Sequence, residues 1–159
     1  KGISSVACFH LTDGSIGNYT EEVDKADFKS DHFFPSLFQE KLDKAYELRI
    51  FYLNGIFYSA CIFSQSDKQT SVDFRKYNIR KPNRVVPFKL PNETEEKLKM
   101  LLDFFDHRTA SIDMVVTKEN EFVFLEINPI GQFGMVSYPC NYYLEKKIAE
   151  HLINGKIRS

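Results

Sequence analysis

Apolar and aromatic residues crowd both sides of Asn54-Gly55, and such runs broken by a turn pair read as strands. Asn-Gly is the pair that a two-residue type I′ turn demands, so Glu47–Leu53 and Ile56–Ser64 are expected to form a hairpin. If Leu53 faces Ile56, Arg49 lies opposite Ala60 and has room to extend its long side chain. A second hairpin is expected from Ser111–Thr117 and Phe122–Asn128 around Lys118-Glu119-Asn120-Glu121. With Thr117 paired to Phe122, antiparallel register sets Asp113 opposite Glu126 on one face. A turn one residue shorter or longer would change that parity.

Helical periodicity appears twice. Asn92 as N-cap, Glu95 three residues on, and a stripe of Leu98, Leu101, Leu102 and Phe105 predict a helix that packs on a sheet. A last helix is expected from near Pro139 to Asn154-Gly155, burying Leu144, Ile148 and Leu152. Ser36–Glu40 has the look of a short strand ahead of the charged run Lys41–Lys44. Residues 11–32 are polar and aperiodic, which predicts a loop, and residues 71–91, basic and broken by Pro82, Pro87 and Pro91, predict an extended irregular segment. Strands and helices are interspersed and antiparallel hairpins dominate, so the expected class is α+β, a mainly antiparallel sheet with packed helices.

The chain has 159 residues, enough for one domain or part of one. It begins Lys1-Gly2-Ile3 with neither an initiator methionine nor a signal-like prelude, which reads as a portion of a longer protein. A formal net charge of −1 argues against broad electrostatic attachment to nucleic acid or to an anionic membrane. No apolar run approaches the roughly 18 residues of a membrane helix. Cys8, Cys61 and Cys140 are scattered, form no C-x-x-C unit and leave one over, which fits buried fillers in a reducing, cytoplasmic compartment.

Candidate chemistry centres on Leu125-Glu126-Ile127-Asn128-Pro129 and Ile112-Asp113-Met114. Strand alternation sends Glu126 and Asn128 to one face, and with Asp113 they place three hard oxygen ligands near one strand end. Such a trio suits Mg²⁺, although acidic groups at strand ends are more often solvated edge charges. Arg49 and Arg75 could grip phosphate bidentately or pair with a neighbouring Glu47 or Asp73. The basic segment 75–89 is a solvated loop or a surface for an acidic peptide or a triphosphate. It lacks the alternating aromatics of a base-stacking surface, so nucleic acid is not expected. The four histidines have no ligand spacing, and no nucleophile elbow, Walker glycine loop or dinucleotide fingerprint occurs.

Taken in order, Phe38-Gln39-Glu40, Glu47-Leu48-Arg49, Asp73-Phe74-Arg75, Ile112-Asp113-Met114 and Leu125-Glu126-Ile127-Asn128 resemble the carboxyl half of an ATP-grasp ligase. The nearest branch is the RimK-like peptide ligases, and within it the graspetide-forming maturases called grasp-with-spasm, whose ending Gly131–Glu145 is similar to. Matching motifs run from Phe38 to Leu152, which implies a loosely matched connection over 1–37, a carboxyl-terminal lobe over 38–155 and a tail over 156–159. The resemblance implies ATP and Mg²⁺ as cofactors. Gln39, Glu40, Lys41 and Leu42 would form the hinge that receives adenine, Glu47 would lie near the ribose, Arg49 and Arg75 would hold phosphates or an acyl phosphate, and Asp113, Glu126 and Asn128 would hold the metal.

It further implies a precursor peptide, leader and core, as partner. A Glu or Asp carboxylate of that peptide would be phosphorylated and then attacked by a Ser, Thr or Lys side chain to close an ester or amide ring. A ligase that adds amino acids to a protein tail, or a catalytically incomplete nucleotide-binding module, are the alternatives. The family's amino-terminal lobes, with their phosphate-binding lysine and glycine-rich loop, have no counterpart in the motifs found, so this segment alone is expected to be incomplete. Dimerisation is common in the family, but no apolar stripe here demonstrates a homodimer.

Overall fold

The computed structural model describes residues 9–11, 14–16, 22, 39–76 and 78–155. The chain divides into two compact units, residues 1–43 with 64–83 and residues 44–63 with 84–159. In the first, β1 (Phe9–Leu11) and β2 (Gly14–Ile16) pair as a small antiparallel hairpin. Both strands reach into the stretch 11–32 expected as a loop. Of the expected strand Ser36–Glu40, positions 36–38 lie outside the described residues, and Gln39 and Glu40 are irregular. Residues 64–83 are held by local polar contacts: buried Thr70 donates to the Ser64 carbonyl (2.9 Å), and the Asp67 carboxylate accepts from the Gln69 amide (2.9 Å) and from Asn78 Nδ2 (2.8 Å).

The second unit is built on β3 (Lys44–Leu53), β4 (Ile56–Phe63), β5 (Arg84–Phe88), β6 (Thr109–Thr117) and β7 (Phe122–Asn128), antiparallel in the order β5-β4-β3-β6-β7. The β3–β4 turn is the expected one. Asn54 (φ 45°) and Gly55 (φ 97°) both take the left-handed conformation a type I′ turn requires, and Leu53 pairs with Ile56 and Arg49 with Ala60. β5 falls inside the segment 71–91 expected to be irregular. Pro87 is tolerated there because β5 is an edge strand, where a missing N–H costs no ladder bond on the open side.

One face of the sheet buries Leu48, Ile50, Tyr52, Ala110, Ile112, Met114 and Val116 against Leu98 and Leu102 of α1 (Asn92–Phe104). The helix start differs from expectation. Pro91, extended at φ −60° and ψ 144°, is the N-cap, Asn92 is already helical, and no side chain caps the end. The apolar stripe is also shorter, since Phe105 is 53% exposed. It stands past the last turn, where Asp106 (φ 50°) closes the helix: His107 N–H donates to the Leu102 carbonyl (2.9 Å) and Asp106 N–H to that of Asp103 (3.1 Å).

The opposite face buries Phe51, Leu53 and Ala60 under Val136, Cys140 and Leu144, contributed by α2 (Gly134–Ser137), the turn after it and α3 (Leu144–Gly155). Pro139 does not start the last helix. The chain turns through Asn141 (φ 53°) and Tyr143 (φ 52°), and α3 begins where Leu144 N–H donates to Ser137 Oγ at 2.9 Å. Leu144 and Ile148 pack on the sheet, whereas Leu152, one turn further, is 62% exposed. Among the described residues no helix is long and apolar enough to cross a membrane.

Candidate metal and phosphate site

The face roofed by α2 and α3 is apolar over only part of its area. Along β3 the residues pointing to it are Phe51, then Arg49, then Glu47, and each heads a row across the sheet. Arg49 pairs with Asp113, which pairs with Glu126; Phe51 pairs with Ser111, which pairs with Asn128. Antiparallel partners share a face, so Arg49, Asp113, Glu126, Asn128 and Glu47 stand on one surface beside the apolar roof.

The expected pairing of Asp113 with Glu126 is present, but the turn does not produce it alone. Val116, not Thr117, pairs with Phe122, so the turn is one residue longer than expected. A bulge then intervenes: Phe124 pairs with Met114 and Glu126 with Asp113, leaving Leu125 as the extra residue. The two departures offset each other. The bulge also turns Phe122 and Phe124 towards the core face, opposite Val116 and Met114, while Glu126 and Asn128, of the same parity in sequence, face the site.

Arg49 Nη1 lies 2.6 Å from Oδ1 and 2.5 Å from Oδ2 of Asp113. The two side chains are 12% and 15% exposed, so this is a largely desolvated pair, and Arg49 Nε is buried without a hydrogen-bond partner. Asn128 Oδ1 accepts from the Ile130 amide (3.1 Å), which fixes the turn at Pro129. Two carboxylates and an amide oxygen in adjacent register positions fit a hard divalent cation rather than zinc. Among the described residues no three His, Cys, Asp or Glu side chains group to hold a metal; the third donor here is the Asn128 amide.

Two residues of this surface escaped the sequence reading. Lys44 is buried and donates to Glu47 Oε1 at 2.8 Å. A bulge at Ala45, between the pairs Lys44–Thr117 and Tyr46–Val116, turns Lys44 to the face of Glu47 three residues on. Its signal was parity: Lys44 shares it with Tyr46, Leu48, Ile50 and Tyr52, the core-facing set, where a lysine has no place. Ser111 donates to the Gln132 carbonyl (3.0 Å) beneath Gly131, whose added Cβ would lie 2.2 Å from Ser111 Cβ and 2.5 Å from its amide nitrogen. Only glycine lets the chain fold back so closely over β6.

The remaining candidates belong to the first unit. Gln39, Glu40 and Lys41 are exposed, Leu42 is half-buried, and Lys41 pairs with Glu22 at 2.6 Å. Arg75 forks onto buried Asp73, with Nε 2.9 Å from Oδ1 and Nη2 2.6 Å from Oδ2. Asp73 is thus a partner to Arg75, as its neighbourhood in sequence allowed, whereas Arg49 takes Asp113 instead of Glu47. Burial pushes the Cys61 thiol up to about 11 and raises that of Cys140, as expected of buried fillers; Cys8 lies outside the described residues.

No family model and no curated protein matches the chain. Solved structures do. A Chryseobacterium gregarium RiPP-associated ATP-grasp ligase, in complex with ADP and a leader and core peptide, is 28% identical with a TM-score of 0.75, over 83% of this chain and 40% of that one. The macrocyclase MdnC of Microcystis aeruginosa MRC, bound with precursor peptide MdnA, is 35% identical with a TM-score of 0.58, over 71% of this chain and 34% of that one. The ATP-grasp ligase PsnB, complexed with a minimal precursor, shares the fold at 16% identity and a TM-score of 0.61, over 80% of this chain and 40% of that one. The chain therefore spans well under half the length of these proteins. With its five-stranded antiparallel sheet and flanking helices, it has the α+β fold of part of an ATP-grasp ligase and is similar to the RiPP-associated members of that family.

Proposed function

We propose that this chain supplies the metal- and phosphate-binding part of an ATP-dependent peptide maturase. The enzyme activates Glu or Asp side-chain carboxylates of a precursor peptide as acyl phosphates and closes ester or amide macrocycles with Ser, Thr or Lys side chains. The observation that carries the reading is the row Arg49–Asp113–Glu126, with Asn128 beside it, on a fold similar to ligases solved with ADP and with leader and core or precursor peptides.

Asp113, Glu126 and Asn128 would hold Mg²⁺, which when bound offsets the negative charge of the β and γ phosphates. Arg49 presents donors to the phosphoryl oxygens, where charge builds during transfer. Lys44 holds Glu47 in place, and we assign Glu47 to the ribose. Gln39, Glu40, Lys41 and Leu42 receive adenine, and Arg75 serves the phosphates or the acyl phosphate. Once the carboxylate is activated, the attacking hydroxyl or amine lies on the same peptide, so binding removes much of the entropic barrier. Inorganic phosphate leaves and the attacker's proton is released. A precursor peptide with leader and core is the partner, and the cytoplasm the setting.

The test is to incubate the full-length protein with ATP, Mg²⁺ and its precursor peptide and to read masses. Loss of one water per ring is expected. A gain of amino-acid masses would replace this reading with a tailing ligase, and failure to consume ATP would remove both.

A further inference from the structure

We propose that Arg49 is the resident counter-cation of Asp113, occupying the metal-ligating carboxylate until a phosphate draws the guanidinium away. Divalent metal and nucleotide then bind as a coupled pair. The inference rests on the proposed metal site and concerns what neutralises Asp113 within it.

Arg49 and Asp113 are directly paired across β3 and β6, so their proximity is fixed by the ladder and not by a flexible loop. Nη1 reaches both carboxylate oxygens, at 2.6 and 2.5 Å, in a setting that is mostly buried. A carboxylate so placed needs a positive neighbour, because a buried unpaired charge is costly. The end-on contact uses one corner of the guanidinium and strands another: Nε is buried with no acceptor. Glu47, two residues back on the same face, does not relieve it, being held by Lys44 at 2.8 Å. Arg49 is therefore well placed for Asp113 and poorly satisfied overall.

A phosphate oxygen would answer the stranded Nε and engage the fork, for which guanidinium geometry is suited. Moving to it, Arg49 uncovers Asp113. A guanidinium and a divalent cation repel each other and compete for the same two oxygens, so each occupant of Asp113 disfavours the other. Whatever draws Arg49 off favours the metal, and by reciprocity the metal favours the phosphate.

The test measures Mn²⁺ binding to the intact protein by electron paramagnetic resonance, with and without ADP, for wild type, Arg49→Met and Glu126→Gln. Folding is checked by circular dichroism, and Arg49→Gln replaces Arg49→Met if the latter unfolds. Wild type is expected to bind Mn²⁺ at least about 10-fold tighter with ADP than without. Arg49→Met is expected to bind it about 10-fold tighter than wild type without ADP, with ADP raising that affinity by a smaller factor than in wild type, since only the direct attraction between metal and phosphate is left. Neutral Arg49 variants that bind Mn²⁺ no tighter than wild type without ADP would overturn the inference. Glu126→Gln distinguishes the two levels: tight Mn²⁺ binding in that variant would sink the metal site itself, and the role of Arg49 with it.

Discussion

Glu126 and Asn128 are half-buried and exposed residues at the end of an edge strand, and neither contributes to the apolar clusters on the two faces. Replacing either should therefore cost chemistry without costing fold. Glu126→Gln or Asn128→Ala is expected to lower ring formation by about 100-fold or more, the scale of removing one electrostatic partner of a transition state. Stability should fall by no more than the roughly 0.5 kcal/mol typical of surface substitutions for Glu126→Gln, and by about 0.5–1.5 kcal/mol for Asn128→Ala, which also loses the hydrogen bond from the Ile130 amide. Wild-type turnover in either variant would rule out the assigned ligands. Cys61 presents the opposite case, a nucleophile kept inert. Its thiol is raised from 9.0 to about 11 by burial, so the neutral form is the one the fold favours. The stability this brings is full below pH 9.0 and is lost as pH rises towards about 11. Iodoacetamide at pH 9 should modify Cys61 in the folded protein at least about 50-fold more slowly than in urea, following the thiolate fraction. Equal rates would show that the thiol is exposed.

At the scale of elements, β7 shows what the sequence made legible and what it hid. The Asn54-Gly55 hairpin and the α1 packing residues Leu98 and Leu102 follow from periodicity and turn chemistry, whereas the opposition of Asp113 and Glu126 is reached through a turn one residue too short that the bulge offsets. The bulge at Leu125 did not follow from either, although its signature is present: Phe122 and Phe124 are apolar, Glu126 and Asn128 polar, and all four share one parity. A flat strand cannot send the first two to the core and the last two to the site, so one extra residue must intervene. β5 was hidden for a related reason. Its Pro87 argues against a strand unless the strand lies at an edge, and edge position depends on pairing with β4, which is non-local. The capping of α3 by Ser137, seven residues upstream, is equally invisible to local rules. The bulge can be tested with cysteine pairs. Asp113→Cys with Glu126→Cys should cross-link on oxidation, since paired Cα atoms about 4.5–5.5 Å apart fit a disulfide. Ile112→Cys with Glu126→Cys should not; the reverse result would mean an unbulged ladder. Gly131 offers a second element-scale test. Gly131→Ala is expected to destabilise by about 1–3 kcal/mol, the usual cost of overpacking. Ser111→Gly should not fully rescue it, because the Ser111 amide nitrogen alone stands 2.5 Å from the new Cβ. Gly134→Ala, with nothing within 4 Å, is the control and should be near neutral in urea titrations.

For the sheet-bearing unit as a whole, one sheet serves two purposes on its two faces. The α1 face is mostly apolar, with Ser59 and, at the edge, Arg84 as polar members, and fully buried Leu102 sits in its core with Ile112 and Val116. The other face is apolar under α2 and α3 and charged along Glu47, Arg49, Asp113 and Glu126. Stability and the proposed ligand binding are then separated by the thickness of a strand: alternate residues of β6 face one side or the other, with Ile112 and Met114 in the core and Asp113 between them on the proposed site. Point substitutions should then dissociate the two properties. Leu102→Ala is expected to lower unfolding free energy by about 2–5 kcal/mol, seen as a lower urea midpoint. The fraction that remains folded at low temperature should bind ADP with affinity within about 2-fold of wild type, because the cavity opens on the far side of the sheet. Glu126→Gln should do the reverse, keeping the midpoint and weakening metal-dependent ADP binding. If folded Leu102→Ala lost ADP affinity to the same degree as Glu126→Gln, the strands would not insulate the faces. The metal and phosphate row would then depend on core packing and not on register alone.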